Sequence, residues 1–359
     1  MFKTPRGRPA RLRHILKRVS RSFYLSLIVL PKEVREQIGL AYLFCRAADT
    51  IADTHILPPT ERQQALNVFR HQFQLPNFKV EELERLSQQL LPHQATVGEG
   101  ALLQSLPACF DLYTTFSDAD QKLIQTLVLT LTKGMDMDLA HFPIRGAPQA
   151  VRALPTPDDL DRYTYYVAGV VGAFWTRMHA AHLPALQGCD IEELCQQGIR
   201  FGQGLQMTNI LKDIAHDFQL GHCYLPATEL TALRVDVRAL QGPETLSRIR
   251  PLLDDLVLLT LEHLDQARDY ICALPKGVIR LRLSCMWPLL FAVQTLAAIC
   301  QSPDLLSPNV RVKISRGDVY QTMLRSLRYL CSQRAFVAYY THLRQGVVQC
   351  LSSKRCHHL

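Results

Sequence analysis

Several absences narrow the reading of this sequence. None of its 11 cysteines stands in a Cys-x-x-Cys pair, which excludes the zinc and dithiol motifs built on that spacing. Cys45, Cys109, Cys285 and Cys300 lie instead in apolar runs, and an odd count without a secretory signal fits reduced, buried thiols in a cytoplasmic protein. The basic amino terminus has no apolar segment behind it, so it does not read as a signal peptide. The longest apolar stretch, Met286 to Cys300, is 15 residues and contains Gln294, too short to cross a bilayer. There is no His-Glu-x-x-His, no nucleophile elbow and no Walker loop. Gly202 and Gly204 form a Gly-x-Gly with no strand pattern before it, which is not a dinucleotide fingerprint.

Acidic residues are missing from the first 21 positions, which carry Lys3, Arg6, Arg8, Arg11, Arg13, Lys17, Arg18 and Arg21 within a net charge of +8. Such an arm suits phosphate or an anionic membrane surface, and equally a solvated tail. Nucleic acid is not expected, because basic and aromatic residues do not interleave elsewhere.

Alternating, strand-like runs are nearly absent as well, and a helical period takes their place. It predicts helices over 32–54, 60–71, 80–91, 98–116, 118–139, 158–182, 190–217, 243–273, 276–301 and 318–343. Proline and glycine fall between these segments, and no repeat, low-complexity tract or long linker divides them. The expectation is one all-α domain over 14–345, with a basic arm over 1–13 and a tail over 346–359.

Two helices carry acidic faces. In AYLFCRAADTIADT, Arg46, Asp49 and Asp53 recur at intervals of three and four, so they share one face of an otherwise apolar helix. In FGQGLQMTNILKDIAHD, Gln206, Asn209, Asp213 and Asp217 do the same, with Lys212 beside them. Burying such charges is costly without partners or metal. The chain contains its own control: Asp265 and Asp269 have the same spacing but neighbour Glu262, His263 and Arg268, and read as a solvated face. Carboxylate pairs are oxygen-only ligands suited to Mg²⁺, which keeps waters and shares its remaining positions with substrate phosphates. Two such faces across a helical bundle would clamp a diphosphate. A third stretch, YTYYVAGVVGAFW, places Tyr163 and Tyr166 on one face beside Ala168, Gly169 and Gly172. Its small residues serve either close helix packing or close approach of a ligand, beside which a phenol accepts a proton or faces a cation.

In this order, SRSFYLSLIVLP, YLFCRAADTIAD, YTYYVAGVVG and QMTNILKDIAHD resemble the squalene/phytoene synthase family of head-to-head prenyl transferases, over roughly residues 14–320. The resemblance implies an isoprenoid-synthase helical bundle with a central cavity. It implies Mg²⁺ and diphosphate held by Asp49, Asp53, Asp213 and Asp217. Ser20, Arg21, Phe23, Gln206, Asn209 and Lys212 would bind a prenyl diphosphate, farnesyl diphosphate in particular. Tyr166 would be the catalytic phenol, with Tyr42 and Arg46 beside it. DT at Asp49-Thr50, VRVKISRG from Val310 and LSCMWPLL around Cys285 and Pro288 resemble the squalene synthase branch. That branch implies NADPH, with its phosphates against Arg21, Arg46, Lys212, Lys313 and Arg316; for Lys313 and Arg316 an exposed basic turn is an equal reading.

Four departures stand out from that branch. Ala52 replaces a usual Glu, Ser284 an aromatic residue, Ser315 a basic residue and Lys212 an arginine. They leave ionisation intact and bear on the reductive step. The alternatives are a non-reductive synthase stopping at presqualene diphosphate or making a C30 or C40 product, and an inactive assembly factor. The expected protein is a cytoplasmic monomer of bacterial type, at most peripheral to the inner face of the membrane.

Overall fold

In the computed structural model, which describes residues 8–19, 24–54, 56–142, 151–240 and 245–355, helices account for nearly all regular structure. The first half comprises α1 (Arg8–Val19), α2 (Tyr24–Val29), α3 (Lys32–Ala52), α4 (Pro59–His71), α5 (Val80–Leu90), α6 (Val97–Leu103), α7 (Leu106–Tyr113) and α8 (Asp118–His141). A short strand, β1 (Arg152–Leu154), leads into α9 (Pro157–Thr164), a π-helical turn (Tyr165–Gly169) and α10 (Val170–His182). There follow α11 (Ile191–Gln219), β2 (His222–Pro226), α12 (Ala227–Ala232), α13 (Thr245–Ala273), α14 (Ile279–Gln301), α15 (Arg316–Cys331) and α16 (Gln333–Arg355). β1 and β2 pair in parallel, Arg152 opposite His222, which period reading did not anticipate in segments this short.

Local chemistry explains where the helices break. The single helix expected over 98–116 is two, because Pro107 lacks an amide proton and sits in the first turn of α7. Thr96 and Glu99 form a reciprocal capping box that starts α6. The helix expected over 318–343 also divides, at Ser332 with φ −142°. Helices run across both expected boundaries. α1 begins at Arg8, inside the expected arm, and its Ile15, Leu16 and Val19 are buried. α16 runs through position 346 to Arg355, with Val347 and Leu351 buried, so the expected tail is part of the core up to there.

Two apolar clusters form the interior. One joins α1 to α8 with α10; the other joins α9, α11, α13, α14 and α16 with the strands. Trp175 of α10 packs against both. In the first cluster Phe44 is fully buried, its ring 4.8 Å from Phe110 and 4.9 Å from Phe73. Anchoring Phe44 there turns Tyr42, Arg46, Asp49 and Asp53, which lie on the opposite side of α3, away from the core. On α11 the side opposite Gln206, Asn209, Asp213 and Asp217 holds Gly204, Thr208, Leu211 and Ala215, all buried. A Cβ at Gly204 would lie 3.0 Å from His263 and Leu264, so α13 packs close on that side.

α14, 23 residues long, lies within the helix expected over 276–301 and is by length and composition apolar enough to span a membrane, which the 15-residue apolar run did not suggest. Of its most apolar window 72% is buried inside the fold, which makes it a core helix here. Its Gln294 donates to Thr322 at 2.8 Å, and its buried Arg282 donates to the carbonyls of Ile271 and Leu274 at 3.0 and 2.8 Å, closing the carboxyl end of α13.

The third acidic pair is not the solvated face expected of it. Asp265 accepts from the Tyr340 hydroxyl at 2.9 Å and from Arg344 Nε at 2.9 and 3.0 Å, tying α13 to α16. Asp265→Ala is expected to destabilise the protein by about 1–3 kcal/mol, because two donors lose a charged acceptor. Urea unfolding measures this, and turnover per folded molecule should stay unchanged.

Burial pushes two imidazoles, His179 and His263, down from the ordinary 6.5 to about 4. His179 Nδ1 bonds the Trp175 carbonyl at 2.8 Å while its buried Nε2 meets no hydrogen-bond partner. Both rings stay neutral in the fold at pH values where the unfolded chain binds protons. Stability therefore rises with pH, and is lost as pH falls from about 6.5 towards about 4. Between pH 7 and pH 5 each should cost roughly 2 kcal/mol. Urea titrations at the two pH values, repeated with His179→Gln, check the slope: the variant should lose about half of it.

Candidate active site

The direction of the helices decides where the acidic residues gather. α4 runs antiparallel to α3, with the buried Arg62 donating to Ala52 O at 3.0 Å. It runs antiparallel to α8 as well: Gln63 donates to Asp136 at 2.7 Å near its start, and Gln125 of α8 bonds Phe73 O just past its end. α3 and α8 therefore run parallel. The segment from α9 to α10 is antiparallel to α8, with Tyr163 bonded to Asp138 at 3.2 Å and His182 to Asp120 at 2.8 Å. It is antiparallel to α11 too, since Gln203 bonds Asp161 at 2.8 Å while Gly172 meets Gly198. The carboxyl ends of α3, α8 and α11 thus lie at one end of the bundle. They carry Asp49 and Asp53, Asp136 and Asp138, and Asp213 and Asp217.

These positions are electrostatically adverse. The carboxyl end of a helix carries about half a negative charge, so carboxylates there are disfavoured and cations favoured. Asp53 is the residue that closes α3, and Asp217 lies in the last turn of α11. The predicted burial of these acids is corrected: the Asp49 and Asp213 side chains are 43% and 49% exposed. Helix polarity, rather than desolvation, is what calls for a cation.

Two cations on the chain answer part of that demand. Arg46 contacts Asp49 through Nη1 and donates to Glu99 Oε1 through Nη2 at 2.7 Å. Burial works against its charge, but Asp49, Glu99, Tyr42 and Asp53 outweigh it and hold the guanidinium above its ordinary pKa. The other Glu99 oxygen is held by the Thr96 amide and hydroxyl at 3.2 and 2.9 Å. A pocket lined by Arg18, Val19, Arg46, Thr96, Gly98 and Glu99 opens beside this pair. On α11, Lys212 lies 3.2 Å from Asp213 and donates to Asn209 at 3.1 Å. Tyr42 donates to Val19 O at 3.3 Å, bringing α1 against the first acidic face.

Tyr166 sits in the π-helical turn. Such a turn inserts an extra residue into a helix and re-aims the side chains around it. A Cβ at Gly134 of α8 would lie 3.2 Å from Tyr166 Cβ, and Lys133 Nζ stands 5.9 Å from the Tyr166 ring centroid. Gly202, the weak Gly-x-Gly of the sequence, lets α11 approach the Ala168 carbonyl, where a Cβ would be 2.2 Å away.

Sequence reasoning missed a phenol pair. Tyr163 and Tyr224, rings stacked at 4.8 Å, both donate to Asp138, and their hydroxyls lie 3.2 Å apart. Burial first, then the Asp138 charge, raises both well above the ordinary phenol value, and Asp217 adds to it. They remain neutral donors between Asp138 and the second acidic face. Glu99 was legible as a capping-box residue, but its contact with Arg46 depends on tertiary packing. Ser20, Arg21 and Phe23 lie outside the described residues. Gln206 is half-buried on the acidic face of α11. Lys313 and Arg316 are exposed around Ser315, which caps α15 in a reciprocal box with Asp318, so the residue departing from the basic pattern serves a helix end.

A family model described as squalene/phytoene synthase matches residues 16–318. The chain belongs to that family. Among its relatives, the squalene synthase of Schizosaccharomyces pombe is 25% identical over 316 residues, covering 87% of this chain and 64% of the yeast protein. The presqualene diphosphate synthase of Zymomonas mobilis is 29% identical over 263 residues, 72% of this chain and 74% of that protein. In fold, the chain matches the solved complex of TcSQS with a ligand at a TM-score of 0.72 and 21% identity, covering 96% of this chain and 99% of that one. As a member of the squalene/phytoene synthase family it has the all-α isoprenoid-synthase fold.

Among the described residues, no group of three or more His, Cys, Asp and Glu is arranged to hold a metal by itself. A Mg²⁺ site does not require such a group, since that ion takes one or two carboxylates and completes its shell with waters and phosphate oxygens. The donors at the ends of α3 and α11 are oxygens in pairs, as such a site requires.

Proposed function

We propose that the protein joins two farnesyl diphosphates head to head and, with NADPH, reduces the product to squalene. The observation that carries this reading is the delivery of two aspartate pairs, from distant parts of the chain, to the negative ends of parallel helices at one end of the bundle. Asp49, Asp53, Asp213 and Asp217 would hold Mg²⁺, which supplies neutralisation of the departing diphosphate. Lys212, Asn209 and Gln206 line the same face of α11 and bind diphosphate oxygens, together with Ser20 and Arg21. By the family resemblance, Phe23 would belong to the same substrate site.

In the first half-reaction the C1–O bond of one substrate breaks and its electron pair leaves with diphosphate. The double bond of the second substrate attacks C1, and Tyr166 or the released diphosphate accepts the proton lost on closing the cyclopropane. Tyr42 and Arg46 fix the first acidic face, with Arg46 held by Glu99. In the second half-reaction presqualene diphosphate would lose its own diphosphate and rearrange, and NADPH, held by basic side chains against its phosphates, would supply the hydride that quenches the cation. Arg46 and Lys212 serve the acidic faces and the substrate diphosphate, so the cofactor phosphates would fall to Arg21, Lys313 and Arg316.

The runner-up is a non-reductive product, favoured by one observation: Ser315 is committed to capping α15 and adds no charge, which leaves Arg311, Lys313 and Arg316 as the cations of the basic turn. An inactive assembly factor has no reason to keep carboxylates at helix carboxyl ends. Incubation with farnesyl diphosphate and Mg²⁺, with and without NADPH, separates these readings. Squalene should form only with NADPH, presqualene diphosphate should accumulate without it, and Lys313→Ala with Arg316→Ala should raise the NADPH concentration needed. One product regardless of NADPH would assign the enzyme to the non-reductive branch. No consumption of substrate under either condition would end the catalytic reading.

A further inference from the structure

Most exposed apolar residues on this protein are scattered singly, as on any soluble surface. α15 is different. Tyr320, Leu324 and Leu327 are 70%, 71% and 56% exposed, and Cys331 continues the series at intervals of four, three and four. They form one continuous stripe along the helix. The opposite face is the buried one, and it is hydroxylic: Ser326 accepts from Trp287 Nε1 at 2.9 Å, Thr322 accepts from Gln294 at 2.8 Å, and Tyr329 is 8% exposed. Polarity is inverted relative to an ordinary surface helix, whose apolar stripe faces the core.

Charge around the stripe has one sign. Arg325, Arg328 and Arg334 are exposed, and residues 319–359 contain no Asp or Glu. The nearest acid, Asp318, is tied into the cap of α15 on the far side from the stripe. A helix with exposed Leu and Tyr along its outer face and arginines flanking them matches an amphipathic segment lying in the interface of an anionic bilayer. A second copy docked through the same stripe would bring like charges together, since residues 319–359 supply no acid to pair them.

We infer that α15 docks the protein on anionic lipid surfaces, inserting Tyr320, Leu324 and Leu327 among the acyl chains while Arg328, at the border of the stripe, meets lipid phosphates. This site is distinct from the basic arm at the amino terminus, and the inference does not depend on the reaction catalysed.

Flotation with vesicles tests it. The full chain should float with vesicles of phosphatidylglycerol and phosphatidylcholine in equal parts, and far less with phosphatidylcholine alone. Leu324→Glu with Leu327→Glu should lower partitioning by about tenfold or more, since each removes inserted apolar area and adds repelled charge. Arg328→Glu should weaken binding to the anionic vesicles and leave the weak binding to neutral ones unchanged. These side chains face outward, so far-UV circular dichroism should be unaltered in every variant. Undiminished flotation of the Leu324→Glu, Leu327→Glu protein would overturn the assignment. So would sedimentation velocity showing, without lipid, a dimer that this variant converts to monomer, because the stripe would then be a contact between copies.

Discussion

Asp213→Asn is expected to lower kcat for farnesyl diphosphate consumption by about 10³, and Asp49→Asn by a similar factor, without loss of fold. Each change removes one anionic oxygen from the clamp that holds the cation against departing diphosphate. The effect on stability should run the other way. Asp49 sits in the last turn of α3 and is about half exposed, so neutralising it relieves about 0.3–1 kcal/mol of unfavourable dipole interaction, whereas Asp213, nearly two turns before the end of α11, gains little. Loss of the neighbouring Lys212 or Arg46 contact offsets part of that gain. Thermal unfolding without metal should therefore be unchanged or slightly raised, while addition of Mg²⁺ and pyrophosphate should stabilise the wild type and not the variants. A variant that is both inactive and unfolded would mean that the acids hold the structure together.

The second large effect is on folding. A Cβ at Gly172 would stand 1.8 Å from the Gly198 carbonyl oxygen, with both backbones held inside helices. Neither helix has a flexible side chain to move aside, so α10 and α11 must separate. Gly172→Ala should cost about 3 kcal/mol or more, at the upper end for overpacking. Gly188→Ala is the control: nothing lies within 4 Å of the added carbon, and its effect should be within about 0.5 kcal/mol. Because the π-helical turn precedes α10 directly, separating α10 from α11 also displaces Tyr166. Surviving Gly172→Ala protein should lose turnover beyond its loss of folded fraction. Equal stability of the two variants would show that the helices do not touch as described.

This contact shows how far the sequence could be read. The small residues of YTYYVAGVVG left packing and ligand approach open, and Gly172 and Gly202 belong to packing. The acidic faces of α3 and α11 were readable because i, i+3 and i+4 spacing is a property of one helix. That α3 and α11 run parallel is not, since it depends on α4, α8 and α10 lying between them in antiparallel contact. Asp265 was misread for the same reason: its neighbours in sequence are polar, but its partners Tyr340 and Arg344 come from a helix at the other end of the chain. Asp138 gave no periodic signal and gains its place only when Tyr163 and Tyr224 converge on it from two other elements. The long helices followed from period and from proline placement, but α1, α2 and α12 did not, the last two being only six residues long and too short to show a period. The caps at Thr96 and Ser315 are local pairs, Thr96 with Glu99 and Ser315 with Asp318, and were within reach of a sequence reading that did not use them.

The central claim is that the ends of α3 and α11 form one diphosphate–metal site. Crystals soaked with Mn²⁺ and inorganic pyrophosphate, measured at the manganese absorption edge, address it directly. Anomalous peaks should appear beside both Asp49–Asp53 and Asp213–Asp217, with one pyrophosphate bridging them. Peaks confined to one pair, or two metals on separate surfaces with no shared pyrophosphate, would contradict it.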